Sequence, residues 1–221
     1  MISENLGNED GFKVAVVNRE EYRHFIYTSN NPSLIYEYLC HVKDHRAKQA
    51  LIESTHENRD RYLYKYCRGI HDDVDVRTAL ANTRRNSLWE WMVYCVNVKE
   101  RPELIYRIAN SNHPRAAQYL YSLCEAIRSE LARKLLAKVN APDASYWRYR
   151  YCFVVKDDPE MTRAIAHSLD EESPRAQFLY CYNIADRPIV RKALARNPLP
   201  SAQYWRDRYC VEVRDRPEMH Q

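Results

Sequence analysis

Glycine is almost missing from this chain: Gly7, Gly11 and Gly69 are the only three in 221 residues. That leaves no glycine-rich loop to cradle a phosphate and little material for the turns of an all-β fold. No apolar stretch approaches the run of about 18 residues that a membrane-spanning helix requires, so no span is expected. Met1 to Gly11 is polar and acidic, without the apolar core of a secretion signal. Seven cysteines in such a chain point to a reducing, cytoplasmic location. Charge of one sign is lacking too. Thirty-four Lys and Arg against 30 Asp and Glu leave a net +4, short of the excess that marks a dedicated nucleic-acid binder. There is no Cys-x-x-Cys, no His-Glu-x-x-His, no Gly-x-Ser-x-Gly and no Walker sequence. No metal ligand, cofactor or catalytic residue is therefore assigned. The eight histidines are scattered, and His41 and His45 read as surface residues.

What is present is regular. The cysteines fall at Cys40, Cys67, Cys95, Cys124, Cys152, Cys181 and Cys210, with gaps of 27, 28, 29, 28, 29 and 29 residues. A fixed period between 20 and 50 residues is the mark of stacked repeats. The flanking sequence repeats as well: Ser145-Tyr-Trp-Arg-Tyr-Arg-Tyr-Cys152 matches Gln203-Tyr-Trp-Arg-Asp-Arg-Tyr-Cys210. One residue before most cysteines stands a tyrosine (Tyr66, Tyr94, Tyr151, Tyr180, Tyr209), and three residues after stands Ile70, Val98, Ile127, Val155, Ile184 or Val213. Offsets −1, 0 and +3 share one face of a helix, here called helix A.

Punctuation follows each helix A: Glu100-Arg-Pro102, Asp157-Asp-Pro159, Asp186-Arg-Pro188 and Asp215-Arg-Pro217. An acid just ahead of a proline fits a helix N-terminus. The second helix, B, centres on Ala79-Leu-Ala81, Ala164-Ile-Ala166 and Ala193-Leu-Ala195, where small residues favour close helix approach. It ends in Asn82, Asn110, Asn140 or Asn197, a residue that tolerates the left-handed conformation closing a helix. The first B helix is placed near residues 20–29, because Glu21 to Pro32 resembles Glu103 to Pro114. Val14 to Val17 is read as the remnant of an eighth A helix, and the tail after Val213 as frayed.

This pattern resembles the α-solenoid class of HEAT, armadillo, tetratricopeptide and leucine-rich-variant repeats, over about residues 18–213. The period is shorter than the tetratricopeptide repeat, and that family's Trp/Gly/Tyr/Pro signature is missing. The expected fold is all-α: a solenoid of about seven two-helix repeats with a 28–29-residue period. An N-terminal segment or cap covers residues 1–17, one repeat domain residues 18–213 and a tail residues 214–221. What the class implies is a stack used for binding, rarely for catalysis.

The cysteines read as small buried residues where helix A packs on its neighbours. A disulfide needs Cα atoms within about 7 Å, and equivalent positions on packed helices stand about 8–10 Å apart. The informative side chains are the aromatic and basic ones around them. Tyr64, Tyr121, Tyr149 and Phe178 lie at offset −3, Lys65, Arg150 and Arg208 at −2, Arg148 and Arg206 at −4. Helix B adds Arg77, Arg107, Arg133, Lys134, Arg163, Arg191 and Lys192. Tyr, Trp and Arg dominate protein-interface hot spots, and the same types stack on bases and hold phosphates. The reading is a monomeric, non-enzymatic adaptor or inhibitor. It grips a partner protein through Tyr149, Trp147, Arg148, Arg150, Trp205, Arg206, Arg208 and Lys65, with no membrane involved. The alternative is nucleic-acid binding by the Arg/Lys series. A third is a DNA-repair-type enzyme, which requires a carboxylate in a basic pocket.

Overall fold

A computed structural model describes residues 20–83 and 87–220. The regular elements among them are fourteen α-helices and one short 3-10 turn, with no strand. The chain divides into two compact units, Met1–Val98 and Lys99–Gln221. The first contains α1 (Glu20–Thr28), α2 (Pro32–His41), α3 (His45–Glu53), α4 (Arg59–Gly69), α5 (Val74–Ala81) and α6 (Leu88–Asn97). The second contains α7 (Pro102–Ala109), α8 (Ala116–Ile127), α9 (Glu130–Lys138), α10 (Ala144–Val154), α11 (Pro159–His167), α12 (Ser173–Asn183), α13 (Pro188–Arg196), α14 (Ala202–Glu212) and the turn Pro217–His220. The proposed remnant at Val14–Val17 lies outside the described residues.

Within each unit a helix packs on the next one and on the next but one. α2 touches α3 and α4, and α3 touches α4 and α5; α10 touches α11 and α12, and α11 touches α12 and α13. Odd-numbered helices thus neighbour one another in one layer and even-numbered helices in another, as repeat packing requires. The odd helices correspond to helix B and the even ones to helix A.

The odd helices are eight or nine residues long, and four of them, α3, α5, α9 and α11, begin at a side-chain cap. Asp44, Asp73 and Asp158 each accept two backbone N–H groups, and Ser129 caps α9 through Ala132 N. Proline opens α7, α11 and α13, where its missing N–H costs nothing. Each turns one i, i+4 pair into the core: Val76 and Leu80, Leu104 and Ile108, Ala132 and Leu136, Met161 and Ile165, Val190 and Leu194. The alanines expected to mediate close approach are mostly the half-buried flanks of that second core residue.

Each even helix buries its residue at offset −1, a leucine in α2 and α8 (Leu39, Leu123) and a tyrosine in the other five; Tyr94, Tyr180 and Tyr209 have no exposed surface. Five cysteines beside them are buried, whereas Cys40 is exposed and Cys210 half-exposed. Offset +3 is not a core position. Ile70, Val98, Val155, Ile184 and Val213 stand just past their helices, half-buried, and close the last turn by donating N–H to the carbonyl of the −1 tyrosine, at 2.9 to 3.0 Å.

Two further expectations are corrected. The helix-ending Asn82, Asn110 and Asn197 keep negative φ. Among the described residues the left-handed ones are Asn112, two residues past Asn110, Asn30 after α1, and Arg128. The tail is not frayed: Met219 is 1% exposed, the 3-10 turn packs on α13 and α14, and Glu218 pairs with Arg191 at 2.9 Å.

The acids before three of the odd helices, α5, α11 and α13, tie those loops to the even helix that follows. Tyr180 and Tyr209 donate their hydroxyls to Asp157 and Asp186, both at 2.8 Å, and Tyr94 donates to Asp72. Arg77 and Arg191 complete two of these groups by pairing with Asp72 and Asp186 at 3.2 and 3.0 Å.

Candidate interaction surface

Four of the residues at offset −4 have a shared task that their identities hide. Trp91 Nε1 donates to Leu80 O at 2.9 Å, Arg148 Nε to Leu136 O at 3.0 Å, Gln177 Nε2 to Ile165 O at 3.2 Å and Arg206 Nη1 to Ala195 O at 3.3 Å. Each serves a carbonyl at the C-terminus of the preceding odd helix, where acceptors have no intrahelical partner. Arg148 also reaches Val139 O at 2.5 Å and Ser168 Oγ at 2.6 Å. It is 7% exposed, and burial lowers its pKa while Asp170 opposes that shift. Arg148 therefore has its donors committed within the fold. Arg206 is half-buried, with its donors on Ala195 O, Asn197 O and Gln203.

The even helices of the second unit join through an aromatic ladder. Tyr121 of α8 meets Trp147 of α10 with ring centres 5.2 Å apart, and Phe178 of α12 meets Trp205 of α14 at the same distance. Between α10 and α12, Asn183 donates to the Tyr149 hydroxyl at 3.0 Å and Arg175 lies over the Tyr146 ring at 5.2 Å. Arg208 lies over both Phe178 (5.1 Å) and Trp205 (5.5 Å) and pairs with Glu212. Tyr121 and Tyr146 beside Arg150 hold that guanidinium charged. Tyr149 itself is 6% exposed and stacks on Phe153 at 5.9 Å. The rings that reach solvent are others: Phe153 at 53%, Tyr182 at 52% and Tyr204 at 58% exposure. Sequence reasoning passed over them because they sit at offsets +1 and −6, and only Trp, Arg and the more regular tyrosines drew attention. The stripe at −6, −3 and +1 on α10, namely Tyr146, Tyr149 and Phe153, is the signal that would have found them.

Lys65 stands apart in the first unit, over the rings of Tyr62 (4.5 Å) and Tyr36 (5.8 Å). The basic series of the odd helices is largely committed. Arg133 binds Glu130, Asp158 and Glu160 at 2.7, 3.3 and 2.9 Å, and Arg77 and Arg191 hold acids as described. Within the second unit acidic loops precede helices of both kinds: Asp157 precedes odd α11, whereas Asp170 precedes even α12 and accepts from Ser145 N and Oγ.

Two places bear on catalysis. A cavity of about 610 Å³ in the first unit is lined by Asp60, Arg61, Tyr64, Lys65, Arg68 and Trp89, with Glu57 and Glu90 also present. Asp60 is 3% exposed, and its Oδ2 accepts from Thr83 at 2.7 Å and Ser87 at 2.5 Å, so it fastens the following loop to α4. At the tail, His220 Nε2 lies 2.7 Å from Asp215 Oδ1 and 3.9 Å from Cys210 Sγ. Both neighbours meet the same ring nitrogen, whereas a nucleophile–base–acid relay uses one on each nitrogen. These three residues are the one group with metal-ligand chemistry among the described residues. No helix described is long and apolar enough to cross a membrane. Comparison with family models, with curated proteins and with solved structures finds no match to this chain.

Proposed function

We propose that this protein is a non-enzymatic scaffold built from seven two-helix repeats of 28–29 residues across 18–213. It binds a partner protein through the aromatic–arginine face of α10, α12 and α14. The observation that carries this reading is the set of solvent-facing rings Phe153, Tyr182 and Tyr204, on a ladder that contains Arg175 and Arg208. Large rings with few rotatable bonds, backed by buried neighbours and flanked by guanidinium groups, are the composition of an interface hot spot. Trp147, Arg150, Trp205 and Arg208 contribute their accessible edges; Arg148 and Tyr149 hold the helices beneath.

The experiment is parallel affinity capture with the wild type and a Tyr182→Ser/Tyr204→Ser variant, followed by direct binding measurements on the recovered protein. A partner bound by the wild type and weakened at least tenfold in the variant supports the reading. Equal binding by both removes this face from the function.

The cavity around Asp60 favours a second reading, nucleic-acid binding with or without base chemistry. Oligonucleotide titration over a salt series decides it. Tight binding that falls steeply with log salt, and is lost in Arg61→Ala/Arg68→Ala, replaces the protein-scaffold reading.

A further inference from the structure

For the odd helices α3 to α13, the residue just before the N-cap is matched with the offset −1 residue of the even helix that follows. Asp72, Asp157 and Asp186 are matched with Tyr94, Tyr180 and Tyr209, and each pair is hydrogen bonded. Glu100 is matched with Leu123, which has no hydroxyl, and the carboxylate instead accepts from Ser129 Oγ. At the two remaining places the acid is replaced by a base: Lys43 with Tyr66, and Arg128 with Tyr151. These tyrosines are 8% and 5% exposed, and neither hydroxyl has a hydrogen-bond partner among the described residues. Beside each lies an open cavity of about 500 Å³, one lined by Lys43, Tyr66 and His71, the other by Arg128, Tyr151 and Lys156.

The cation four residues into the odd helix changes in step. Where the loop has its aspartate, Arg77 and Arg191 turn back to it. Where the loop has a base, Lys48 and Arg133 turn forward to Asp73 and Asp158. Both carboxylates lining the Arg128 cavity, Glu130 and Asp158, are held by Arg133. Arg128 and Lys156 make no ion pair among the described residues and face the same space. Three places in the molecule thus supply a carboxylate to the buried phenol from within. Two present the phenol, a room beside it and an uncommitted cation.

We propose that the Arg128 cavity receives an aspartate or glutamate side chain from an acidic segment of another polypeptide, which accepts a hydrogen bond from Tyr151 and pairs with Arg128, with Lys156 at the rim. The Lys43 and Tyr66 cavity of the first unit is a second receptor of the same design. The residues differ from those of the aromatic face, so either proposal stands without the other.

The test uses the full chain and a fluorescein-labelled, acetylated and amidated tetraglutamate, followed by anisotropy at low salt. Tetraglutamine amide is the uncharged control, and tetraglutamine with a free terminal carboxylate tests the other source of the same group. Tetraglutamate alone is expected to bind. Arg128→Asp should weaken it at least tenfold and Tyr151→Phe about fivefold, while Arg163→Ala, an exposed cation on α11, leaves it unchanged. No binding by tetraglutamate, binding only through the terminal carboxylate, or equal loss in Arg163→Ala would each overturn the proposal. A second measurement does not depend on the peptide. Arg128→Asp places in the loop the acid found at the other rungs, so its urea midpoint should rise, and that gain should shrink in a Tyr151→Phe background. Aspartate also tolerates the left-handed backbone of residue 128 better than arginine does. An identical gain with and without the Tyr151 hydroxyl would therefore refute the matched rung.

Discussion

Arg148 closes three acceptors with one side chain: Leu136 O, Val139 O and Ser168 Oγ. Removing it leaves buried carbonyls without donors, a larger penalty than the net worth of the bonds themselves. Arg148→Ala should lower unfolding stability by about 3 kcal/mol in urea titration, and Arg206→Ala, whose donors are half-exposed, by about 1 kcal/mol. Equal costs would mean that burial does not set the difference. The role of this column was not legible in the sequence, because Trp91, Arg148, Gln177 and Arg206 share an N–H donor and nothing else. Tyr180 shows the converse in part, since its core position followed from the ladder, whereas its partner Asp157 was read only as the start of a helix. Burial pushes its phenol up to about 12 from 10.0, with Asp157 adding to the shift and Thr162 offsetting part of it. The folded state therefore holds this proton more tightly than the unfolded chain does. The stability it contributes is complete below pH 10 and disappears as pH rises toward 12. Tyr180→Phe should flatten the alkaline stability profile in that window; an unchanged slope would uncouple the rung from folding.

Single helices of eight to twelve residues are marginal in water, so each depends on its ends and on its neighbours. Asp158 shows how both are served. Its Oδ1 accepts from Glu160 N and Met161 N, and the carboxylate also binds Arg133. Asp158→Ala should cost about 1–2 kcal/mol, while Asp158→Asn, which keeps the cap and loses the ion pair, should cost less than half as much. The positions of α1 to α14 were readable because cysteine, proline and the caps recur at one period. The ends of helix A were not, since a period of 3.6 cannot distinguish a core valine at +3 from one that closes the last turn with its backbone N–H. Nor could composition say which asparagine turns left-handed: Asn30 and Asn112 do so, and Asn110 two residues earlier does not.

For the molecule as a whole, the internal cohesion of the second unit is the feature open to direct test. Its helices are linked by aromatic contacts, by the Asp157 and Asp186 rungs and by the packed tail. A fragment of residues 99–221 should therefore remain helical by circular dichroism and retain dispersed tyrosine side-chain resonances. Collapse to a coil would show that the unit depends on the first.

The buried thiols give the molecule a way to report on itself. Cys67, Cys124, Cys152 and Cys181 are buried at the same position of four helix pairs, and burial pushes each up to about 12. A thiol in that state is inert until its own helix pair opens. Where closing is faster than alkylation, the labelling rate of each equals an opening constant multiplied by a common chemical rate. Pulsed alkylation read by mass spectrometry would then return a local opening free energy for each of these helix pairs in one experiment, with no probe introduced. Cys40, exposed at one end, supplies the unprotected reference rate.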